Sequence, residues 1–416
     1  MNLTRAELKK IMRSPITIAA IVIVLALNVV TFMTTGNSYY APAGEDSAEH
    51  IRQAKENGAY FKGAITDEWC DRYKAEADAM RNNPENMVDD SEKQVIIEGL
   101  KKQGYTEEYI LENLRIHFLK EEFLTSEEYN RYEPVEFSMS FYESAENLGK
   151  RFAEYYLSAY PGNKGEALAA KAEADYGRLA DDYTAYYNYD LGYQRMENVL
   201  LSYHYTLAVL MVVGLAGIFC GEYSRKTDAL ILSAKYGRHK IAFAKIKAGI
   251  IFSAAAWVVL TAVNLIMTTV YFGWEGSEAY WQDWLIKISP FCWNSGIAMA
   301  AALATSLLGT VFFAALVMAI SALFRAPAPA MLISFALLLI PSIDLGENAP
   351  AIVSAINTCM PATIMRGAPI WYRYMSVYAF GRTVTGQYIV LPVIAAVTVL
   401  AAGAAVRWFT RHQVQN

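Results

Sequence analysis

Six long apolar runs interrupt this chain, at 15–34, 205–221, 248–273, 296–324, 326–343 and 387–406, and none has Asp, Glu, Lys or Arg in its interior. A bilayer core of about 30 Å needs roughly 20 apolar residues in a helix, so the pattern predicts six crossings. The fifth run is interrupted by Pro327, Pro329 and Pro341. The first run exceeds the 7–15 apolar residues, roughly, of a signal-peptide core, so an uncleaved anchor is expected despite Ala41-Pro42-Ala43. Residues 3–13 carry a helical period instead. Leu3, Leu8, Ile11 and Met12 share a face opposite Arg5 and Lys9, Thr4 with Glu7 reads as a capping box, and Ser14-Pro15 ends the helix. A helix of this kind lies in the membrane interface; the plainer reading is a basic flank.

Between the first two runs the pattern changes. Over 36–203, apolar and aromatic positions recur at three and four, as at Leu148, Phe152, Tyr155, Tyr156 and Ala159. Ser91 with Gln94, Thr125 with Glu128 and Ser140 with Glu143 read as capping boxes, and Pro84, Pro134 and Pro161-Gly162 punctuate the helices. The stretch 183–203 is expected to run continuously into the second span. The expected fold is therefore an all-α polytopic membrane protein. It has an amphipathic helix at 1–14, span one at 15–34, a helical domain at 36–203 and span two at 205–221. A loop at 222–247 follows, then spans three to six within 248–416, with a long loop at 344–386.

Composition agrees with a membrane chain: 54% of residues are hydrophobic and 19% charged, against about 25% charged in soluble proteins. The net charge of -5 conceals a segregation. Residues 36–203 hold 33 Asp/Glu against 18 Lys/Arg, and the remainder holds 8 against 18. Cations gather at Arg5, Lys9, Lys10 and Arg13, in 222–247, at Arg325, and at Arg407 and Arg411. By the positive-inside rule these segments face the cytoplasm and 36–203 lies outside a cell membrane. That outer segment also carries 19 of the 28 tyrosines. They read either as a tyrosine-built core or as a binding surface for a cationic or amphipathic ligand.

Catalytic chemistry has no footing. There is no GxxxxGK[ST] phosphate loop and no GxSxG elbow, and His50, His117, His204, His239 and His412 are isolated. No enzyme activity, bound metal, cofactor or nucleic-acid partner is expected of this chain. Four cysteines imply no disulfide framework; Cys292 and Cys359 read as a bridge or as two unrelated buried thiols. Ion-coupled pumps place acids or bases within the membrane. Here the spans offer only Asn28 and Asn264, which interhelical hydrogen bonds account for. Ala301, Thr305 and Gly309 form a small-xxx-small stripe, for a dimer seam or for packing within the chain.

The loop 222–247 is the most informative stretch. Leu230, Ile231 and Leu232 sit in a helical turn, Tyr236-Gly237 breaks it, and a basic helix leads into span three. An apolar, basic knuckle of this kind asks for a partner groove. The stretch resembles the first cytoplasmic loop of type-two ABC exporter permeases. The matching positions are Glu222, the run Leu230-Ile231-Leu232-Ser233, Gly237-Arg238 and Lys245; Tyr236-Gly237 stands where that family often has Pro. The resemblance covers the membrane portion and not the outer domain. It implies a bacterial permease subunit, homo- or heterodimeric, with an ATP-binding cassette ATPase subunit below that carries ATP and Mg2+. Glu222, Asp228, Leu230, Ile231, Leu232, Ser233, Tyr236, Gly237 and Arg238 would make the coupling element, driving export of a peptide, drug or ion. It also implies short re-entrant helices in the last outer loop, broken at Met360-Pro361. The residues alone leave two other readings open: a surface receptor or wall-binding protein anchored by its spans, and a transporter without an ATPase.

Overall fold

A computed structural model describes residues 3–40, 47–126, 128–129, 131–132, 141–142, 144–224, 239–282, 287–340 and 356–411. The short helix α1 (Leu3–Met12) leads into α2 (Pro15–Tyr40). The insert carries α3 (Ser47–Tyr60), α4 (Asp67–Arg81), α5 (Asp90–Lys102), α6 (Glu107–Asn113), α7 (Glu121–Leu124), α8 (Ala145–Ala159) and α9 (Asn163–Asp181). The bundle resumes with α10 (Leu191–Leu215), α11 (Cys220–Ser224), α12 (His239–Tyr271), α13 (Ser295–Leu323) and α14 (Pro327–Leu339). It ends with α15 (Pro361–Met365), α16 (Pro369–Tyr372) and α17 (Gln387–Arg411).

Among the described residues, five stretches are long and apolar enough to cross a membrane: Pro15–Thr34, Leu191–Ser224, His239–Tyr271, Ser295–Leu323 and Gln387–Arg411. The run 326–343 departs from expectation. Its helix, α14, has 13 residues, about 20 Å at 1.5 Å per residue, short of a bilayer core. Pro327 fixes its start at the first helical turn, and 341–343 lie outside the described residues.

Helix α13 is the hub, with α10, α12, α14, α15 and α17 packed on it. Its small residues make that closeness feasible. A Cβ on Gly309 would stand 2.5 Å from the Met365 amide nitrogen, so α15 rests on bare backbone. Ser306 Oγ donates to the Met365 carbonyl at 2.8 Å, and Trp371 Nε1 donates to Thr305 Oγ1 at 3.0 Å. Thr305 and Gly309 therefore serve packing within the chain. Asn28 and Asn264 exchange amide hydrogen bonds of 3.0 and 3.2 Å, joining α2 to α12.

The insert has separate cores. In one, Phe61 is ringed by Trp69, Tyr73, Tyr132 and Tyr187, with centroids 5.1–6.2 Å away. In another, the hairpin of α8 and α9 buries Leu148, Leu168 and Tyr176. Tyrosine is thus a core residue here: the ring is buried while the hydroxyl finds a partner, as Tyr73 does on the Tyr132 carbonyl at 2.7 Å.

Several local expectations shift. The insert is not wholly helical: β1 (Gly63–Ala64) pairs antiparallel with β2 (Tyr186–Tyr187). The helix entering span two begins at Leu191, not at 183, because that strand occupies its approach. Asp89, two residues before Ser91, caps α5 and accepts from the Glu92 amide at 2.9 Å. Thr125 closes α7 instead of opening a helix. Ser140 and Glu143 lie outside the described residues. After α16 the last loop forms a hairpin, β3 (Ser376–Ala379) with β4 (Arg382–Thr385), through Phe380 at φ 53° and Gly381 at φ 77°.

The insert sits on one end of the bundle. Tyr183 donates to the Trp293 carbonyl at 2.9 Å, Tyr142 to Gln282 at 2.7 Å, Asn188 to Glu278 at 2.8 Å and Tyr374 to Asp175 at 3.3 Å. The described residues of the insert thus meet those of the segments 274–295 and 356–386 at one end of the bundle, and α1, α11 and the first turns of α12 meet at the other.

Candidate functional site

Four charged side chains from three elements meet at the end of the bundle opposite the insert. Lys245, on the first turns of α12, is 1% exposed. Its Nζ donates to Glu7 Oε2 of α1 at 2.8 Å and to Glu222 Oε1 of α11 at 2.9 Å. Lys10, one turn past Glu7 on α1, donates to the same Glu222 oxygen. The charges alternate along Glu7, Lys245, Glu222 and Lys10, so the cluster is neutral and each buried charge has a partner. Burial of Lys245 at this depth is tolerable only on that condition; removing one partner of a buried pair costs about 3–5 kcal/mol.

The backbone beside the cluster is broken on purpose of geometry. Helix α10 stops at Leu215, and α11 restarts at Cys220. The amides of Phe219 and Cys220 donate to Ser321 Oγ of α13 at 3.0 and 3.3 Å. A neighbouring hydroxyl therefore satisfies donors that the break would otherwise strand. Phe409, fully buried on α17, packs on Phe219 at 5.1 Å and on Tyr223 at 6.0 Å. Glu222 and Tyr223 of α11 and Lys245 of α12, on either side of 225–238 in the sequence, are therefore tied to the bundle.

Of the coupling residues read from the sequence, Glu222 is in this cluster and 4% exposed. Asp228, Leu230, Ile231, Leu232, Ser233, Tyr236, Gly237 and Arg238 lie outside the described residues. Glu7 was expected in a capping box with Thr4. Helix α1 already includes Leu3, so Thr4 is inside the helix, and the Glu7 carboxylate is used on Lys245. Its signal was there to read: Glu7 is the lone acid among Arg5, Lys9, Lys10 and Arg13.

Charge also enters the bundle from segments that flank the apolar runs. Arg195, 1% exposed on the first turns of α10, donates to the Phe32 carbonyl and lies 4.6 Å over the Phe32 ring. Glu197 accepts from Trp281 Nε1 at 3.1 Å and pairs with Lys287 at 2.8 Å. Arg366, just past α15, donates to His204 Nε2 at 3.4 Å and Tyr205 Oη at 3.0 Å. Beside them, Asp190 at the head of α10 accepts from Ser295 at 2.8 Å and Gln194 at 2.7 Å. Burial pushes its carboxyl up to about 6, against the opposing pull of Ser295 and Lys287.

All four cysteines are free, and Cys292 is exposed, so neither a bridge nor a pair of buried thiols describes Cys292 and Cys359. Among the described residues no cluster of His, Cys, Asp and Glu gathers as a metal site.

No curated protein and no solved structure matches the chain. The sequence profile described as "ABC-2 family transporter protein" matches residues 1–412. With a bundle of membrane-length helices and that match over nearly its whole length, the chain belongs to the ABC-2 family of transporter membrane proteins.

Proposed function

We propose that this chain is the permease subunit of an ATP-driven exporter, and that 222–247 is its coupling element. The observation that carries this reading is the buried clamp of Lys245 on Glu7 and Glu222. A loop whose feet are fixed to α1, α11 and α12 transmits a push from below to the helices instead of bending away. A separate ATP-binding cassette subunit would seat on Leu230, Ile231 and Leu232 and supply ATP and Mg2+. Its closure would bias the bundle between two packings of similar energy. The break between α10 and α11 is the natural place for that movement to be absorbed.

In this reading α1, the loop 222–247 and the C-terminal end face the cytoplasm of a bacterium, and the insert is extracellular. The distribution of Lys and Arg supports that orientation, as does the sorting of segments to the two ends of the bundle. The run 326–343 is the fifth of six crossings, since a helix shorter than the bilayer core is accommodated by local thinning of the bilayer. The working unit holds two permease subunits and two ATPase subunits, and the cargo is a peptide, drug or ion.

The test is reconstitution in vesicles with the candidate ATPase subunit. Nucleotide turnover by the complex should depend on both subunits, and vesicles with this chain alone should move no solute. Full solute movement by this chain without a nucleotide-hydrolysing companion would refute the reading.

A further inference from the structure

The small lobe built from α5, α6 and the helical turn Arg115–Phe118 has a core of Ile97, Leu100, Ile110 and Phe118. Around it, apolar side chains point away from the protein. Val95 is 71% exposed, Tyr109 48%, Ile116 46% and Tyr105 43%, and Tyr105 stacks on Tyr109 at 5.7 Å. Single exposed apolar residues need no explanation, but a cluster on one lobe marks a contact surface. Within the lobe runs an open groove of about 340 Å3, lined by Ile96, Gly99, Leu100, Tyr105, Leu114 and His117.

Gly99 is among the residues that line that groove. It stands in the interior of α5, where glycine is less favourable than alanine by about 1 kcal/mol. A Cβ built there meets nothing within 4 Å. No contact inside the chain calls for glycine, and its bare backbone leaves room for a group from outside.

Charge selects the occupant. Asp89 caps α5, Asp90 and Glu92 fill its first turn, and Glu107 and Glu108 open α6. Over residues 87–120 seven carboxylates stand against five cations, Lys93, Lys101, Lys102, Arg115 and Lys120; Lys101 pairs with Glu107 at 2.5 Å, Lys93 lies 5.1 Å over the Phe118 ring, and Lys120 donates to the Glu85 carbonyl at 2.7 Å. The domain around the lobe carries 33 acidic against 18 basic residues. We propose that this groove docks a cationic amphipathic peptide, with an apolar side chain over Gly99 and its Lys or Arg residues along the acidic first turns of α5 and α6. The docking needs no nucleotide, so it goes beyond the permease reading and stands or falls separately from it.

The experiment uses the full chain in zwitterionic phosphatidylcholine nanodiscs, without an ATPase. It is titrated with a fluorescent leucine–lysine amphipathic peptide, with empty nanodiscs subtracted. Gly99→Trp, which fills the groove, should weaken binding about tenfold or more. Glu92→Lys with Glu108→Lys should weaken it too, and a leucine–serine peptide of equal length should bind less well than the leucine–lysine one. Gly99→Ala should raise the thermal midpoint, showing that α5 accepts a side chain there. Should Gly99→Trp fail to fold, Gln103→Trp, one turn along the same groove, takes its place. Equal binding by the groove-filled variant and the parent, or by the two peptides, overturns the proposal. So does self-association of the chain through this lobe that Gly99→Trp abolishes, which would make the occupant a second copy.

Discussion

Glu222 and Lys245 lie 23 residues apart in the chain and 2.9 Å apart in space, at the two feet of the segment 225–238. Lys245 is also the point where α1 is tied to the bundle, through Glu7. Replacing it by methionine leaves the Glu7 carboxylate without this partner and Glu222 with Lys10. Lys245→Met should lose about 3–5 kcal/mol of stability, read as a lower thermal midpoint in detergent. Adding Glu222→Gln should cost less than the separate losses predict, with a coupling of at least about 1 kcal/mol. Strict additivity of the two variants would mean that the clamp does not exist.

The close approach of α15 to α13 rests on one missing side chain. Any Cβ at Gly309 runs into the Met365 backbone. Gly309→Leu should therefore destabilise the protein by about 1–3 kcal/mol, the range for overpacking. Thermal unfolding of the purified variant checks this, and an unchanged midpoint would show that α15 does not sit there.

Asn28 and Asn264 join α2 to α12 through two hydrogen bonds. Polar pairs between membrane helices are worth about 0.6 kcal/mol on average and up to about 1.7. Asn28→Val alone leaves Asn264 without that partner, while the double change to Val removes both. The double variant should accordingly be no less stable than the single one, which unfolding in mild denaturant measures.

Asp190 makes stability depend on pH. Its carboxyl sits near 6 in the folded chain, above its ordinary 3.8, so the folded state holds the proton more tightly than the unfolded state does. The stabilisation this gives is complete below about pH 4 and is lost as pH rises through about 6. Ser295, Lys287 and Gln194 favour the charged carboxylate and only partly offset burial, to which the nearby Glu197 charge adds. Asp190→Asn should flatten the thermal midpoint between pH 4 and 7 and be the more stable form at pH 8. The difference there is on the order of 3 kcal/mol at most, at 1.36 kcal/mol per unit of pKa. Parallel pH profiles for both proteins would remove Asp190 from this role.

Much of this architecture was legible from the chain, for a reason that the residues make plain. An uninterrupted apolar run has one low-energy fate in a bilayer, and the helices His239–Tyr271 and Ser295–Leu323 follow from that alone. What escaped a linear reading depends on residues far apart in sequence. Glu7 looked like a capping partner because Thr4 stands three positions before it, while Lys245, its actual partner, is 238 positions away. The hairpin at Phe380 and Gly381 lacked the usual Asn-Gly signal of a tight turn. The short helix Pro327–Leu339 has the composition of a span but not the length, since Pro327 sets where it begins. Arg195 and Arg366 fall outside every apolar run, so only packing brings them into the bundle.

The central claim is that the loop between Glu222 and Lys245 receives a partner ATPase. The most direct measurement is co-purification of the tagged chain with that ATPase subunit, comparing the parent with a variant carrying Leu230→Asp, Ile231→Asp and Leu232→Asp. The account predicts a stable complex for the parent and loss of the ATPase from the variant, while the variant itself still folds and inserts. Undiminished recovery of the ATPase with three charges placed in the knuckle would contradict it.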